Sequence, residues 1–350
     1  MPKRPFLYVI LSAVLFGIAT PLSKLLIKQI SPVVLAGLLY VGAFLGLSVH
    51  TLGKKAFGKN VGPRDQRLDK HDFGWLAGAI IAGGIVAPIS LFFGLKMTTG
   101  TSASLLLNLE GVMTALIAVF IFRENAGRSI WLALVFMTLA GISLSWDTGQ
   151  TRFAPAGPLL ILLAMTGWGI DNNFTRNISD KNPVQIAQIK GASAGGFSLL
   201  LALVSGMTIP AGRTIFWALL VGAFSFGLSL VLYVKALGSL GAFRAGVFFS
   251  FAPFIGAAAS LLILREPIGW SLLVGTVFMI LGVFLIINEK HEHRHRHEAL
   301  THMHAHSHRD GHHLHKHEEG GREPHIHKHT HGETDHIHVH WPDIHHRHIH

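Results

Sequence analysis

Long apolar runs, each about 20 residues and broken mainly by Gly, fill residues 6–288 and constrain this chain more than any other feature. A hydrocarbon core of roughly 30 Å needs about 20 such residues per spanning helix, and a helix satisfies every backbone N–H and C=O without water. Read between breakers, the runs fall near 6–28, 31–53, 73–95, 101–122, 129–146, 158–175, 183–207, 214–234, 243–264 and 269–288. The expected fold is an all-α integral membrane protein with ten transmembrane helices. Met1–Lys28 has the basic start and apolar stretch of a signal peptide, but it has a matching partner later in the chain and is read as the first span. The chain contains no cysteine, which excludes a disulfide framework, thiolate metal sites and thiol catalysis.

Composition divides the chain in two. Of 25 histidines, 23 lie in residues 291–350, where His alternates with other residues. Residues 1–290 carry 22 Lys+Arg against 10 Asp+Glu, whereas the tail carries 7 against 9. The basic excess therefore belongs to the membrane part, where it reads as topology and not as nucleic-acid binding. With the N-terminus inside, fourteen Lys/Arg fall on inner segments, including Lys54, Lys55, Lys59, Arg64, Arg67 and Lys70 after the second span. Six (Lys24, Lys28, Lys96, Arg152, Arg213, Arg265) fall outside. That bias places both termini in the cytoplasm of a multi-pass cell-membrane protein.

The chain also repeats itself. A shift of 142 residues aligns 95–143 with 237–285 without a gap, with 12 identities in 49 pairs, among them Arg123-Glu124 with Arg265-Glu266 and Val135-Phe136-Met137 with Val277-Phe278-Met279. At an offset near 151, Phe16-Gly17-Ile18 pairs with Trp168-Gly169-Ile170 and Pro32-Val33 with Pro183-Val184. Shared apolar composition does not explain a polar Arg-Glu pair recurring at the same place in the same hairpin. Each repeat holds five spans, an odd number, so the second enters the membrane inverted. The expected divisions are 1–148, 149–290 and the tail 291–350. Inverted repeats put a binding site near the midplane and let the halves rock for alternating access.

These residues resemble the drug/metabolite transporter superfamily, EamA type, over residues 6–288. Ser102 through Arg123-Glu124 looks like the family's helix of small and apolar residues ending in an acidic turn, and Ala252-Pro253 through Arg265-Glu266-Pro267 looks like its second copy. The family's usual Pro in the fourth span is Gly111 here, Pro253 keeps it in the ninth, and Lys190 stands where the family often has Arg. The resemblance implies tandem five-helix units and transport of small organic metabolites, with export favoured.

A charge at the bilayer centre costs at least about 2.5 kcal/mol on insertion scales, so each intramembrane one needs a reason. Lys24, Glu110, Asp171 and Lys190 are the candidates. Glu110, beside Asn108, is expected to face a central cavity and bind a cationic group or a coupling proton. Asp171 and Lys190 lie on antiparallel neighbours at similar depth, so they can form an ion pair that either fixes packing or lines the cavity. Asn172 adjoins Asp171, and Trp168, three residues earlier on the same helix face, walls the site. The expected substrate-binding set is Glu110, Asn108, Trp168, Asp171, Asn172 and Lys190. No Walker-type sequence, glycine fingerprint or Ser/His/Asp arrangement occurs, so the chain is expected to be a carrier and not an enzyme, driven by an ion gradient or by its substrate's own gradient.

In the tail, imidazoles recur as His-x-His: His291, His293, His295 and His297; His302, His304, His306 and His308; His325, His327, His329 and His331; His336, His338 and His340. Neutral imidazole suits Ni, Co, Zn and Cu(II). The segment is expected to be disordered and metal-binding. As pH falls through about 6.5 its charge moves from −2 toward +21, which would favour the anionic inner leaflet. No cofactor is required for transport itself. The expected partners are a small-molecule substrate, a coupling proton or ion, the lipid bilayer, transition-metal ions and a second copy in a homodimer, with no nucleic acid. The alternative function is a divalent transition-metal (Ni/Co/Zn) transporter or a metal-regulated carrier. Against it, the only histidines before the tail are His50 and His71, at the end of the second span and in its loop.

Overall fold

The computed structural model describes the backbone of residues 3–56, 68–122, 128–147, 152–178, 181–240, 242–287, 292–297, 300–306, 325–331 and 334–339. The chain falls into two units, Met1–Glu289 and Lys290–His350, each described by itself.

Among its described residues the first unit contains ten helical rods. Seven are long and apolar enough to cross a membrane: α1 (Pro5–Leu26), α2 (Pro32–Gly53), α3 (Asp72–Met97), α4 (Gly100–Phe120), α7 (Pro183–Val204), α8 (Gly212–Ala236) and α9 (Ala245–Leu264). Two are shorter, α5 (Arg128–Leu144) and α10 (Trp270–Ile286), and α6 (Ala156–Arg176) carries the Asp171-Asn172-Asn173 run. Among the described residues these seven are fewer than the ten spans expected, because α5 and α10 are short and polar residues interrupt α6. Large apolar side chains lie on the outside of these rods, Leu262 at 79% exposure and Trp270 at 82% among them. An outer surface this apolar suits a hydrocarbon solvent. A two-residue ladder, β1 (Trp146–Asp147) against β2 (Arg152–Phe153), joins the halves.

Helix starts follow local chemistry. Pro183 occupies the first turn of α7, where its missing N–H costs nothing, and the Asn182 side chain accepts from the N–H groups of Val184 and Gln185 at 3.0 and 3.3 Å. Thr99 does the same for α4, accepting from Ser102 N–H at 3.1 Å.

The duplication is visible in irregularities as well as in order. π-helical turns occupy Ile80–Val86 of α3 and Gly222–Leu228 of α8, the same positions after a shift of 142 residues. α4 breaks at Leu107 and Asn108, where the hydrogen bonds tighten to i−3, and α9 breaks between Phe249 and Ala252. Packing obeys the same exchange of αn with αn+5. α2 packs on α7, α4 on α9 and α5 on α10, each with its own mate, while α1 on α9 mirrors α6 on α4, and α1 on α8 mirrors α6 on α3. Glycines set the closest approaches: a Cβ on Gly17 would meet the Ala252 carbonyl and Gly256, and one on Gly169 would meet Met113 and Thr114.

In the second unit the described segments are four strands. β3 (Glu292–His297) pairs antiparallel with β6 (Thr334–Val339), and β4 (Leu300–His306) with β5 (His325–His331). Their two-residue alternation is the period of a strand, and the register sets His302, His304 and His306 opposite His329, His327 and His325. Of the predicted metal ligands, His291, His308 and His340 lie outside the described residues.

Candidate functional site

The polar groups converge where α6 crosses α3, α4 and α7. The Lys190 ammonium contacts both Asp171 carboxylate oxygens, at 2.6 and 2.5 Å. The Thr175 hydroxyl, one turn on, donates to the same carboxylate at 2.8 Å. Asp171 is buried and Lys190 half-buried, so each charge depends on the other to offset its desolvation.

Beneath this pair the backbone of α3 supplies a further polar group. In the π turns the N–H of Ala87 bonds back to the Ala82 carbonyl, five residues earlier. The next bond in that register would run from residue 88 to Gly83, but residue 88 is proline and has no N–H. The Gly83 carbonyl is thus released from its helix, and two side chains take it up: Tyr40 O–H from α2 at 2.9 Å and Trp168 Nε1–H from α6 at 3.0 Å. Gly83 must also be glycine for space, because a Cβ there would land on the Asp171 carboxylate.

Glu110 stands one turn away, in the first turn of the half-helix Leu109–Phe120, where the positive end of the helix dipole favours a carboxylate. Asn172 Nδ2 donates to Glu110 Oε1 at 2.9 Å and to the Thr114 hydroxyl at 3.1 Å. Asn173 Nδ2 bonds the Thr114 and Gly169 carbonyls at 3.0 and 2.8 Å, which pins the α4–α6 crossing. Asp171 and Lys190 lie within electrostatic reach of Glu110. The sixth predicted residue, Asn108, is buried and turns its amide onto the Leu105 carbonyl at the α4 break, apart from this cluster.

Next to the polar cluster, a narrow recess with room for about one water is lined by Phe16, Ala19, Thr20 and Ser23 of α1, Leu91, Phe92 and Leu95 of α3, Leu107, Trp168 and Phe226. Phe226 stacks on Tyr40 and meets Phe16 edge-on, so aromatic faces connect recess and cluster. Both repeats contribute walls, and Trp168 belongs to both features. Tyr40, Gly83, Thr114 and Thr175 are absent from the predicted set. The signals available for them were the glycine run Gly78–Gly84, the Pro88 after it, and the scarcity of Tyr, of which the chain has three.

Away from the spans, Lys181 lies 3.5 Å from Asp69 and 3.4 Å from Asp72, tying the α6–α7 turn to the start of α3. The Asp69 carboxyl is held below its ordinary range, first by the N–H of His71 and then by that of Asp72 and the Lys181 ammonium.

The sequence profile of the EamA-like transporter family matches residues 3–146 and again 155–288. The chain belongs to the EamA-like transporter family. Among its relatives, an uncharacterized transporter of Methanothermobacter thermautotrophicus is 28% identical over 295 residues, covering 80% of this chain and 85% of its own. One of Clostridium kluyveri is 22% identical over 293 residues, covering 80% and 92%. A solved crystal structure shares the fold with a TM-score of 0.54 at 15% identity, over 81% of this chain and 95% of that one. The profile leaves residues 289–350 unmatched. The EamA chain is thus a multi-pass membrane transporter built from two repeats, and a transporter rather than an enzyme.

Proposed function

We propose that this EamA chain is a secondary transporter that exports small organic metabolites across the cell membrane by alternating access, with both termini in the cytoplasm. The observation that carries this reading is the meeting, at the interface of the repeats, of a buried charge cluster and an aromatic recess that share Trp168. Such a site suits an amphipathic metabolite whose apolar body enters between the aromatic walls as the recess widens during the transport cycle and whose polar end competes for Asp171, Lys190 and the Gly83 carbonyl. Glu110, held by Asn172 in the first turn of a half-helix, serves a coupling proton or a cationic substrate group. Export rests on analogy with the family, and orientation on the fourteen-to-six Lys/Arg count.

The His-rich tail binds Ni, Co, Zn or Cu(II) in this reading and modulates the carrier instead of feeding it. A metal-carrying body would have to run on carboxylate and amide oxygens, because His50 and His71, the histidines before the tail, lie at the end of the second span and in its loop.

The test is counterflow of a metabolite panel in proteoliposomes. Glu110→Gln keeps the Asn172 hydrogen bond but loses the charge, and should cut flux at least about tenfold while the protein stays folded. Wild-type flux by this variant from pH 5 to 8 would make Glu110 structural.

A further inference from the structure

One intramembrane charge remains outside the site, Lys24. Its ammonium donates to the carbonyl oxygens of Leu95 and, at 2.5 Å, Thr98. These belong to the last turn of α3, which has no intrahelical partners for them. Immediately across the turn, the Glu266 carboxylate accepts the N–H groups of Gly100 and Thr101 at 2.6 and 2.8 Å and the Thr101 hydroxyl at 2.6 Å. Those are the first donors of α4. A cation thus caps the negative end of one helix and an anion the positive end of the next, the favourable arrangement at both, and the two charges lie within electrostatic reach of each other.

The sources of the two charges matter. Lys24 comes from α1 of the first repeat. Glu266 comes from the α9–α10 connection of the second, aimed back across the hairpin by Arg265, which ends α9 in the left-handed conformation at φ 51°. Gly100 leaves room for it, since a Cβ there would sit 3.3 Å from Glu266 Oε1 and 3.0 Å from the Ser260 hydroxyl oxygen. Both repeats therefore grip one hairpin turn, 97–100. The grip also roofs the recess, because Ser23, next to Lys24, and Leu95, its acceptor, are recess-lining residues.

We infer that Lys24 and Glu266 form a latch across the two repeats that closes the recess on the membrane face carrying the α3–α4 turn, opposite the face at which α3 begins with Asp72, and that alternating access on that face requires Glu266 to let go of Gly100 and Thr101. The inference rests on reading the chain as an alternating-access carrier, yet its test needs no substrate. In this cysteine-free chain, Thr20→Cys places a single thiol in the recess. The full-length protein in sealed vesicles is treated with a membrane-impermeant maleimide from one face or the other. With the latch intact the thiol reacts slowly from both faces. Glu266→Gln and Lys24→Met should each raise labelling about tenfold or more, from the 97–100 face only, as expected for losing hydrogen bonds to a charged group. The double variant should exceed neither single by more than about twofold, since the two charges hold one turn. Thr101→Val, which keeps both charges and removes one donor, should give a smaller rise of about threefold and guards against a Glu266 variant that fails to fold. Unchanged labelling in folded Lys24→Met and Thr101→Val overturns the latch, and so does a rise that is equal from both faces. A carrier without a latch would still pass the metabolite counterflow test, so failure here and failure of the transport reading are separable.

Discussion

The recess and the charge cluster are the same place seen in two repeats. Recess residues Phe16, Ala19, Thr20 and Ser23 of α1 correspond, one repeat later, to Trp168, Asp171, Asn172 and Thr175 of α6. Leu39 and Ala252 likewise stand where the other half has Lys190 and Glu110. One backbone geometry thus presents an apolar wall in one copy and a hydrogen-bonded ion pair in the other. The π turns diverge in the same way. In α3 the register runs into Pro88 and releases the Gly83 carbonyl to Tyr40 and Trp168, whereas in α8 the corresponding residue is Leu230, which has an N–H to offer. Duplication supplies the two-fold frame, and a handful of side chains divide the cavity into a polar half and an apolar half.

The largest effect should come from making the polar half resemble the apolar one. Lys190→Met strands a buried carboxylate and should cost about 3–5 kcal/mol with loss of transport. Adding Asp171→Asn should restore most of the stability, read by thermal retention in detergent, but not the flux. Recovery of flux with the double variant would reduce the pair to a packing device.

The π turns offer a smaller and reciprocal comparison. Leu230→Pro should cost about 3 kcal/mol, because it removes the N–H that Leu230 offers to its helix. Pro88→Leu returns an N–H to Gly83 and should change stability by no more than about 1 kcal/mol, while freeing Tyr40 and Trp168 and slowing transport several-fold. Equal costs for the two exchanges, measured by the same thermal assay, would remove the distinction between the halves.

The smallest effect on flux is expected from the tail. Deleting residues 291–350 should leave basal metabolite counterflow intact and abolish binding of nickel, cobalt and zinc, which titration calorimetry reads directly. Neutral imidazole is the ligand, so metal binding by the full chain should fade below about pH 6. Metal flux that is stoichiometric with turnover, and lowered by the truncation, would favour the metal carrier instead.

Hydropathy and the 142-residue shift made the spans and the repeat legible in sequence, since length and periodicity are local quantities. The Asp171–Lys190 pair was legible as well, because two antiparallel neighbours joined by a short turn bring similar depths together. Tyr40 and Gly83 were not: their contact depends on a hydrogen-bond register slipping by one residue ahead of a proline, and hydropathy does not record that. Lys24 was legible as an anomaly but not its purpose, because its acceptors are backbone carbonyls and the Glu266 that shares the turn with it reaches Thr101 from 165 residues away in the chain. Asn108 was grouped with Glu110 through adjacency in sequence, yet the break in α4 turns its amide onto its own helix.

The pairing of α2 with α7, α4 with α9 and α5 with α10 has a consequence for ancestry. Contacts that map onto themselves when the copies are exchanged are the signature of an isologous interface, the kind formed by two identical subunits around a two-fold axis. A five-helix protein carrying only the first repeat would have met an inverted twin through the same three helices. Joining two such copies in one chain, as the short β1–β2 ladder does here, leaves each half free to differ, so that a lysine on α7 does not require a lysine on α2.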